Sequence, residues 1–270
     1  MDLHQQSKFE FTEFYQMLDS KVFGKQVWMF NELDSTNTFV KQRSEQITPH
    51  GLVCLTRYQT NGRGQHDKVW YAESDKCLTF SIVLKPQYAN RLQLLVQVAA
   101  LSVLEVLENH YKITGEIKWP NDVLIKGKKV AGILAEGIFN GSKLDRFIIG
   151  IGVNLFDGNF LKKFTEFDCV ETNTTKPLKL NVFLAQLINQ FEKNYQKWME
   201  SDTEIVKTIN HSIIGFCKWN KVEVNGHFKD ELFKFLGLNT EGYPVFITQS
   251  DEIKKVTHQN IRLFPTDAER

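Results

Sequence analysis

The sequence has few cysteines and prolines, and it lacks several common catalytic motifs. Its four cysteines (Cys54, Cys77, Cys169 and Cys217) lie far apart and form no CxxC pair, which argues against a structural zinc site and favours a reducing compartment. The chain contains no HExxH pair, no GxxxxGK(S/T) loop and no GxGxxG turn. Zinc proteases, P-loop ATPases and dinucleotide-binding folds are therefore excluded at the level of motifs.

A strong charge imbalance and a long apolar run are also missing. Lysine and arginine number 33 against 32 aspartates and glutamates among 270 residues, a formal net charge of +1, so the sequence predicts no nucleic-acid partner. The most apolar stretch, residues 94–107, is interrupted by Gln97, Ser102 and Glu105, and the N-terminus has no signal-peptide pattern. We therefore expect no membrane association and a cytoplasmic location.

Hydrophobic residues make up 42% of the chain and include 21 phenylalanines, which is enough for a large core. The spacing of apolar residues predicts helices over 8–19, 35–43, 91–109 (capped by Asn90), 180–199 and a shorter stretch capped by Asp202. Strands are predicted over 27–33, 52–59, 78–84, 116–119, 123–125, 129–137 and 146–155, with a loop at 60–72 and hairpin turns at 126–127 and 140–141.

The pattern changes after about residue 212. Valine and phenylalanine alternate with polar residues, and Asn-Gly and Glu-Gly turn signals follow at short intervals. About five short strands fit this segment, which predicts a small antiparallel barrel. The sequence thus predicts a domain over residues 1–211 and a second one over residues 212–270.

The segment Asp34-Ser35-Thr36-Asn37 places short polar side chains at the predicted start of a helix. Such residues are preferred as helix caps. Their hydroxyl and amide groups also donate and accept hydrogen bonds, so the same segment is suited to a small ligand with adjacent N–H and C=O groups. The two roles are compatible.

The polar loop over residues 59–70 has glycines on both sides of Arg63 and carries Lys68 near its end. Glycine lets the backbone approach a ligand closely, and arginine can bind a carboxylate or phosphate through two hydrogen bonds. The loop is therefore either an ordinary surface loop or a cover over an anionic ligand.

Two further motifs lie on predicted strands. Lys118 is either an ordinary solvated lysine of a strand or, because apolar neighbours surround it and a strand-breaking proline follows, a residue whose end points toward a site. The oxygens of Asn121 and Asp122 either form a turn or hold Mg²⁺ on a nucleotide. Gly132 is either a small residue between packed strands or the floor beneath a flat bicyclic ligand. Asn154 is a polar residue at the end of an apolar strand.

In their order and wording, the STN, QTxGRG, KWPND, KxAGILxE and GIGxN motifs resemble the biotin–protein ligase family over roughly residues 25–265. The resemblance implies an α+β fold with a mixed β-sheet flanked by helices, related to class II aminoacyl-tRNA synthetases, followed by a C-terminal SH3-like β-barrel. It implies formation of biotinyl-5′-AMP from biotin and MgATP, and transfer of biotin to a lysine of a carrier domain, that of acetyl-CoA carboxylase being expected.

The resemblance also implies roles for individual residues. Biotin-binding positions are Ser35, Thr36, Asn37, Gln59, Arg63, Gly64, Gln65, Lys118 and Gly132; positions around ATP and its metal are Lys68, Trp70, Asn121, Asp122 and Asn154. Lys118 and Arg63 are the catalytic candidates, because two anions must approach each other. Mg²⁺ is expected to arrive with ATP, without a dedicated protein metal site.

The chain departs from the family pattern in two places. The loop often reads GRGRxGRxW, whereas this sequence has Gln65, Asp67 and Lys68; the barrel often ends in GEI, whereas residues 258–261 read HQNI. Losing a charged donor near the phosphate predicts weaker retention of the adenylate, by about 1–3 kcal/mol. Only 34 residues precede Ser35, which predicts no winged-helix DNA-binding domain.

Two other functions stay open on the sequence alone. A lipoate or octanoate transferase would share the core fold but needs a long slot for an acyl chain, whereas the STN and KWPND motifs favour the ureido ring of biotin. A non-catalytic biotin-binding protein is compatible with the altered loop. A homodimer is possible, although nothing in the sequence specifies it.

Overall fold

The structure, a computed structural model, describes residues 9–65, 68–86, 91–257 and 261–266. Seven strands form its larger sheet: β1 Val27–Leu33, β2 Val53–Gln59, β3 Cys77–Leu84, β4 Glu116–Lys118, β5 Asp122–Ile125, β6 Lys128–Asn140 and β7 Lys143–Asn154. The order is β1-β2-β3-β7-β6-β5-β4, in which β1 and β2 are parallel and the other neighbours antiparallel. The expected mixed sheet is confirmed.

Three of the sequence predictions lie outside the described residues: the cap Asn90, Asp67 of the loop and residues 258–260.

The described residues form five α-helices: α1 Phe11–Met17, α2 Thr36–Lys41, α3 Leu92–Tyr111, α4 Leu180–Met199 and α5 Thr203–Ser212. Helices α3 and α4 contribute to the main core, which includes Val53 and Leu55 of β2. Helix α2 contributes Val40 to a smaller cluster that includes Cys54. Because successive strand side chains point to opposite faces, β2 supplies both clusters and the sheet is flanked by helices.

Helix α3 is long and apolar. An 18-residue segment of this helix has a mean hydropathy of 1.4, so by length and composition alone the helix is able to cross a membrane. Inside the protein 67% of that segment is buried, as in the central helix of a packed core. The helix predicted over 91–109 is confirmed, with ends at Leu92 and Tyr111.

The parallel pairing of β1 and β2 brings two of the sequence motifs together. Leu33 pairs with Gln59 at the carboxyl ends of these strands. Just beyond, the Thr60 N–H donates to the Leu33 carbonyl and the Asn61 N–H to the Asp34 carbonyl, each at 2.9 Å. The start of α2 and the polar loop therefore leave the sheet side by side.

Strands β5, β6 and β7 form two successive hairpins. Lys126 and Gly127 have φ angles of 49° and 77°, as a tight two-residue turn requires, so the first predicted turn is confirmed. The second turn consists of Gly141 and Ser142, because Asn140 still pairs within the ladder. The second predicted turn was wrong by one residue.

The C-terminal segment forms a second, antiparallel sheet. Its strands are β8 Trp219–Val224, β9 His227–Phe228, β10 Phe233–Leu238, β11 Pro244–Ile247, β12 Ile253–Lys255 and β13 Ile261–Pro265. This is consistent with the expected SH3-like barrel, and β9 is the strand beyond the five that the sequence predicted. The boundary at residues 211–212 stays a prediction. Asn210 of α5 hydrogen-bonds the backbone of Leu238 at 2.7 and 3.0 Å, so α5 is tied to this sheet.

Candidate active site

A cavity of about 800 Å³ is lined by both sheets and by the loop after β2. Every residue predicted for the site lies in its wall: Ser35, Thr36, Asn37, Gln59, Arg63, Gly64, Gln65, Lys68, Trp70, Lys118, Asn121, Asp122, Gly132 and Asn154. Motifs that are far apart in the sequence therefore meet around one space.

One end of this cavity is neutral and polar. The Thr36 N–H donates to Gln59 Oε1 at 2.9 Å, and the Thr36 hydroxyl lies 3.3 Å from the same oxygen. The Ser81 hydroxyl of β3 lies 2.7 Å from the Thr36 hydroxyl and 2.6 Å from Asn37 Oδ1. All four side chains are buried, and such a connected network favours one arrangement of its polar atoms.

Asn37 uses both of its amide hydrogens inside the protein. Its Nδ2 donates to the Leu134 carbonyl at 3.2 Å and to Glu136 Oε2 at 3.0 Å, while its Oδ1 accepts from Ser81. Gly150 faces this side chain, since a Cβ there would lie 2.5 Å from Asn37 Oδ1. Asn37 can therefore offer a ligand only the remaining lone pair of its oxygen.

The neutral end also has hydrogen-bond donors that no described residue uses. Ser35 caps α2 by accepting from the Thr38 N–H at 3.4 Å, which confirms the predicted cap and leaves its hydroxyl hydrogen available. Among the described residues nothing accepts from Ser35 or from Gln59 Nε2. One acceptor beside such donors matches a cyclic urea, which carries N–H groups next to a C=O.

The loop after β2 folds back on itself: residues 62–65 pair with residues 68–70, and these two described segments together are called the 62–70 hairpin. The Gly64 N–H donates to the Lys68 carbonyl at 2.6 Å, and the Trp70 N–H donates to the Gly62 carbonyl at 2.9 Å. Arg63 forms an antiparallel bridge across it. The sequence predicted only an irregular loop here, because such cross-strand pairing leaves no periodic apolar pattern.

Trp70 covers part of the cavity floor. A Cβ on Gly152 would collide with its indole, and one on Gly132 would lie 3.1 Å from the ring. The space above Gly132 thus holds a flat ring that the protein itself supplies, and a ligand role for Gly132 stays a prediction. The buried indole N–H has no hydrogen-bond partner within the described residues.

Lys118 ends β4 and lies opposite Asp122, the first residue of β5. Asp122 is already paired, since its Oδ1 lies 2.6 Å from Lys129 Nζ. The Asn121 amide donates to the Ile133 carbonyl at 3.0 Å. In the part of the chain that the structure describes, no carboxylate forms an ion pair with Lys118, so its ammonium is available to an anion.

The other end of the cavity is cationic. Lys68, Lys118, Lys129 and Arg262 of β13 all line it. Burial lowers the pKa of Lys68, and so do the positive charges of Arg262, Lys129 and Lys118, while Asp122 acts in the opposite direction. The carboxylates of Asp122, Glu166 and Glu223 also line the cavity, and Arg262 Nη1 lies 3.5 Å from Glu223 Oε1. The cations that keep no such partner, Lys118 above all, suit a polyanion such as a triphosphate.

Asn154 lies in the cavity wall with its amide engaged. Its Nδ2 donates to the Asp168 carbonyl at 3.1 Å, and its Oδ1 lies 3.5 Å from Cys77 Sγ. The residue therefore fixes the segment that follows β7, and its predicted role at ATP stays a prediction. All four cysteines are free thiols.

Arg63 lines the cavity, but its guanidinium is bound by an acid. Its Nη2 donates to Glu136 Oε1 at 2.7 Å and its Nη1 to the Thr38 hydroxyl at 3.4 Å. Burial raises the pKa of Glu136, but hydrogen bonds from Asn37 and Arg63 outweigh that effect and hold the pKa below its ordinary value. Without a ligand, the positive charge of Arg63 is thus largely balanced by the negative charge of Glu136.

Sequence reasoning assigned no role to four residues of this site: Ser81, Lys129, Glu136 and Arg262. Ser81 carried a signal, since it is a hydroxyl in the otherwise apolar and fully buried strand β3. Lys129 and Glu136 are the first and last residues of the KxAGILxE motif, and no function was predicted for these two positions from the sequence. Arg262 carried no local signal, because only the packing of the second sheet brings it to the cavity.

The described residues contain no group of three or more histidine, cysteine, aspartate or glutamate side chains placed to hold a metal. Asn121 and Asp122 are the predicted oxygen donors, and Asp122 is paired with Lys129. This donor set fits a Mg²⁺ ion that keeps phosphate oxygens and water as its main ligands.

The chain has clear relatives among known proteins. Residues 29–154 match the model of the Biotin/lipoate A/B protein ligase family. The chain is 28% identical over 257 residues to the bifunctional ligase/repressor BirA of Bacillus subtilis, covering 91% of this chain and 76% of that protein. It is 36% identical over 130 residues to the biotin–[acetyl-CoA-carboxylase] ligase of Paracoccus denitrificans, covering 47% of this chain and 53% of that protein.

A solved structure extends the likeness over both sheets. The biotin protein ligase of Aquifex aeolicus, in complex with biotin and ATP, matches with a TM-score of 0.77 and 26% identity over 90% of this chain and 100% of that one. The matched domain, the relatives and the fold agree with one another. Residues 29–154 thus match the biotin/lipoate A/B protein ligase family, and the fold as a whole is similar to that of biotin protein ligases.

Proposed function

We propose that this protein is an ATP-dependent biotin–protein ligase that forms biotinyl-5′-AMP and transfers biotin to a lysine of a carrier domain. The observation that carries the proposal is a single cavity with a neutral hydrogen-bonding end and a cationic end. The neutral end suits the ureido ring of biotin, and the cationic end suits the triphosphate of ATP. The biotin-contacting residues in this proposal are Ser35, Thr36, Asn37, Gln59 and Gly132.

In the first step, a carboxylate oxygen of biotin attacks the α-phosphorus of ATP. A new P–O bond forms, the bond to the bridging oxygen of the β-phosphate breaks, and pyrophosphate leaves. Both reactants are anions, so positive charge lowers the barrier. Lys118 is the proposed cation at the carboxylate and α-phosphate; Arg63 can add its charge only by exchanging Glu136 for the substrate.

In the second step, the neutral amine of the carrier lysine attacks the acyl carbon. The C–O bond to the phosphate breaks, AMP leaves, and the nitrogen loses a proton. Because water would hydrolyse the mixed anhydride, the intermediate needs a cover. The 62–70 hairpin is the proposed cover, with Gly64 and Gln65 above the intermediate.

The nucleotide is proposed to lie between Lys68, Trp70 and Asn154. Mg²⁺ bound with it would offset negative charge on the phosphates. Asn121 and Asp122 are the side chains proposed to hold that ion, alongside the phosphate oxygens.

A mass measurement tests the function. A recombinant biotin carrier domain is incubated with the protein, MgATP and either biotin or lipoate. We expect a mass gain of one biotin minus water, dependent on both biotin and ATP. A gain with lipoate and not biotin would instead support an acyl transferase, and tight biotin binding without AMP formation would support a binding protein; either result overturns the proposal.

The carrier domain of acetyl-CoA carboxylase is the proposed protein substrate, and the cytoplasm is the proposed location. The absence of nucleic-acid and membrane partners stays a prediction. So does a homodimer, for which β1 offers a sheet edge that no described strand occupies. Sedimentation of the purified protein with and without biotin and ATP would test the dimer.

A further inference from the structure

The Glu136 carboxylate lies between two parts of the site that must act together. Its Oε2 accepts from Asn37 Nδ2 at 3.0 Å, at the neutral end of the cavity. Its Oε1 accepts from Arg63 Nη2 at 2.7 Å, on the 62–70 hairpin. One side chain therefore joins the proposed ureido pocket to its proposed cover.

The backbone around Glu136 is well placed to act as an anchor. Glu136 pairs with Ile148 in the long β6–β7 ladder. Two residues earlier on the same strand, the Leu134 carbonyl accepts the other amide hydrogen of Asn37 at 3.2 Å. Strand β6 thus fixes Asn37 at two points and Arg63 at one.

Partial burial makes this ion pair stronger than an ordinary surface pair. The Glu136 side chain is 13% exposed and that of Arg63 42% exposed. Lys41 also approaches Glu136 Oε1, but its Nζ lies 3.3 Å away, against 2.7 Å for Arg63 Nη2, and such a long contact from an exposed lysine contributes little. Lys41 is therefore a matched control, since it touches the same carboxylate without belonging to the hairpin.

We propose that Glu136 is a positioning residue: it holds the 62–70 hairpin over the cavity through Arg63 and orients Asn37 so that its oxygen faces the biotin ring. The inference rests on the proposed function for the identity of the ligand. It does not require Arg63 to touch the substrate. In this role Arg63 acts through Glu136, and Lys118 supplies the charge at the reacting atoms.

The substitution Glu136→Gln tests the idea because glutamine keeps the size but has only one acceptor oxygen for two partners. We expect the KM for biotin and the rate of biotinyl-AMP escape to rise about tenfold, as for the loss of one charged hydrogen bond, with kcat and the KM for ATP nearly unchanged. Arg63→Met should raise the KM for biotin and the rate of biotinyl-AMP escape at least as much, and the double variant should show no larger increase than Arg63→Met alone. Lys41→Met should match the wild type.

A second measurement needs neither ligand nor activity. Trypsin should cut the hairpin after Lys68 about tenfold faster in Glu136→Gln than in the wild type or Lys41→Met, because the Arg63 contact no longer holds it. Cuts confined to the hairpin would support the proposal, whereas cuts spread over the chain would mean general unfolding and count against it. Equal cutting rates and equal biotin KM values, or effects that multiply in the double variant, would overturn it. If the wild type made no biotinyl-AMP, the proposed function would fail while proteolysis still tested Glu136.

Discussion

The two ends of the cavity differ in how far the protein satisfies its own polar groups. At the neutral end, Thr36, Asn37 and Ser81 are buried and bonded to one another or to β6, so few hydrogen-bonding positions are left for a ligand. At the cationic end, Lys118 has no ion-pair partner among the described residues. The pKa of Lys68 is lowered there, chiefly by burial and next by the positive charges around it. The neutral end leaves few positions for a ligand and so favours selectivity. At the cationic end Lys129 and Arg262 are paired with Asp122 and Glu223, and Lys118 is left for an arriving anion.

Replacing Lys118 should produce the largest effect. Lys118→Ala removes the proposed cation at the reacting atoms, so biotin-dependent pyrophosphate exchange should fall by roughly 10²–10³, as for loss of one transition-state donor. Biotin affinity, measured by calorimetry, should change much less. Lys143→Ala, at the start of β7 and outside the cavity lining, is the control. Near-normal exchange in the Lys118 variant would mean that the cationic end does not carry the rate.

Ser81 tests the neutral end. Ser81→Ala removes the hydroxyl between Thr36 and Asn37 and should weaken biotin binding by about 1–3 kcal/mol, the cost of unpaired buried groups. The kcat at saturating biotin should change little. Ser102→Ala makes the same substitution in α3, away from the cavity, and should lower thermal stability without changing biotin affinity. If both variants bound biotin equally, the network would not be a selectivity element.

A substitution at Arg262 tests whether the second sheet contributes to the cationic end of the cavity. Arg262→Ala should raise the KM for ATP by about three- to tenfold, because a partly screened charge is worth about 1 kcal/mol, and should leave biotin affinity unchanged. Lys221→Ala, an exposed lysine on β8, is the matched control. An unchanged KM for ATP would restrict the charged end to the larger sheet.

The smallest effect concerns pH. The pKa of Lys68 lies below its ordinary value, so its positive charge is present at low pH and is lost as pH rises through that lowered pKa. The KM for ATP should therefore begin to rise below the ordinary lysine value of about 10.4. Lys68→Arg, which stays charged, should shift this rise to higher pH. A profile identical in both proteins would show that Lys68 does not face the nucleotide.

Local patterns in the sequence predicted much of the fold. Helix α4 was predicted with its observed bounds because its apolar face repeats over five turns or so. Strands β3 and β7 were predicted within a few residues because their branched and aromatic side chains suit pleated, buried positions. The residues of the cavity wall were also predicted, since five motifs in one order define a family even though each is weak alone.

Features that depend on packing across the chain were not predicted. The residues around Arg262 in the sequence are those of any solvated basic position on a strand. Only the packing of the second sheet brings Arg262 to the cavity. Glu136 is the last residue of the KxAGILxE motif, but its role was not predicted because its partners Asn37 and Arg63 are 99 and 73 residues away in sequence. The displaced turn at Gly141 and Ser142 reflects one more pair in the β6–β7 ladder than turn residues alone indicate.

The glycines of β7 have a consequence for the length of the substrate. Gly150 lies beneath Asn37 and Gly152 beneath Trp70, and alternate residues on one face of a strand are about 7 Å apart. The pleat of a single strand therefore sets the spacing between the Asn37 side chain at the neutral end and the Trp70 indole further along the cavity. If the ring binds at Asn37 as proposed, analogues of biotin whose side chain is one methylene longer or shorter should seat their ring but misplace their carboxylate relative to the ammonium of Lys118.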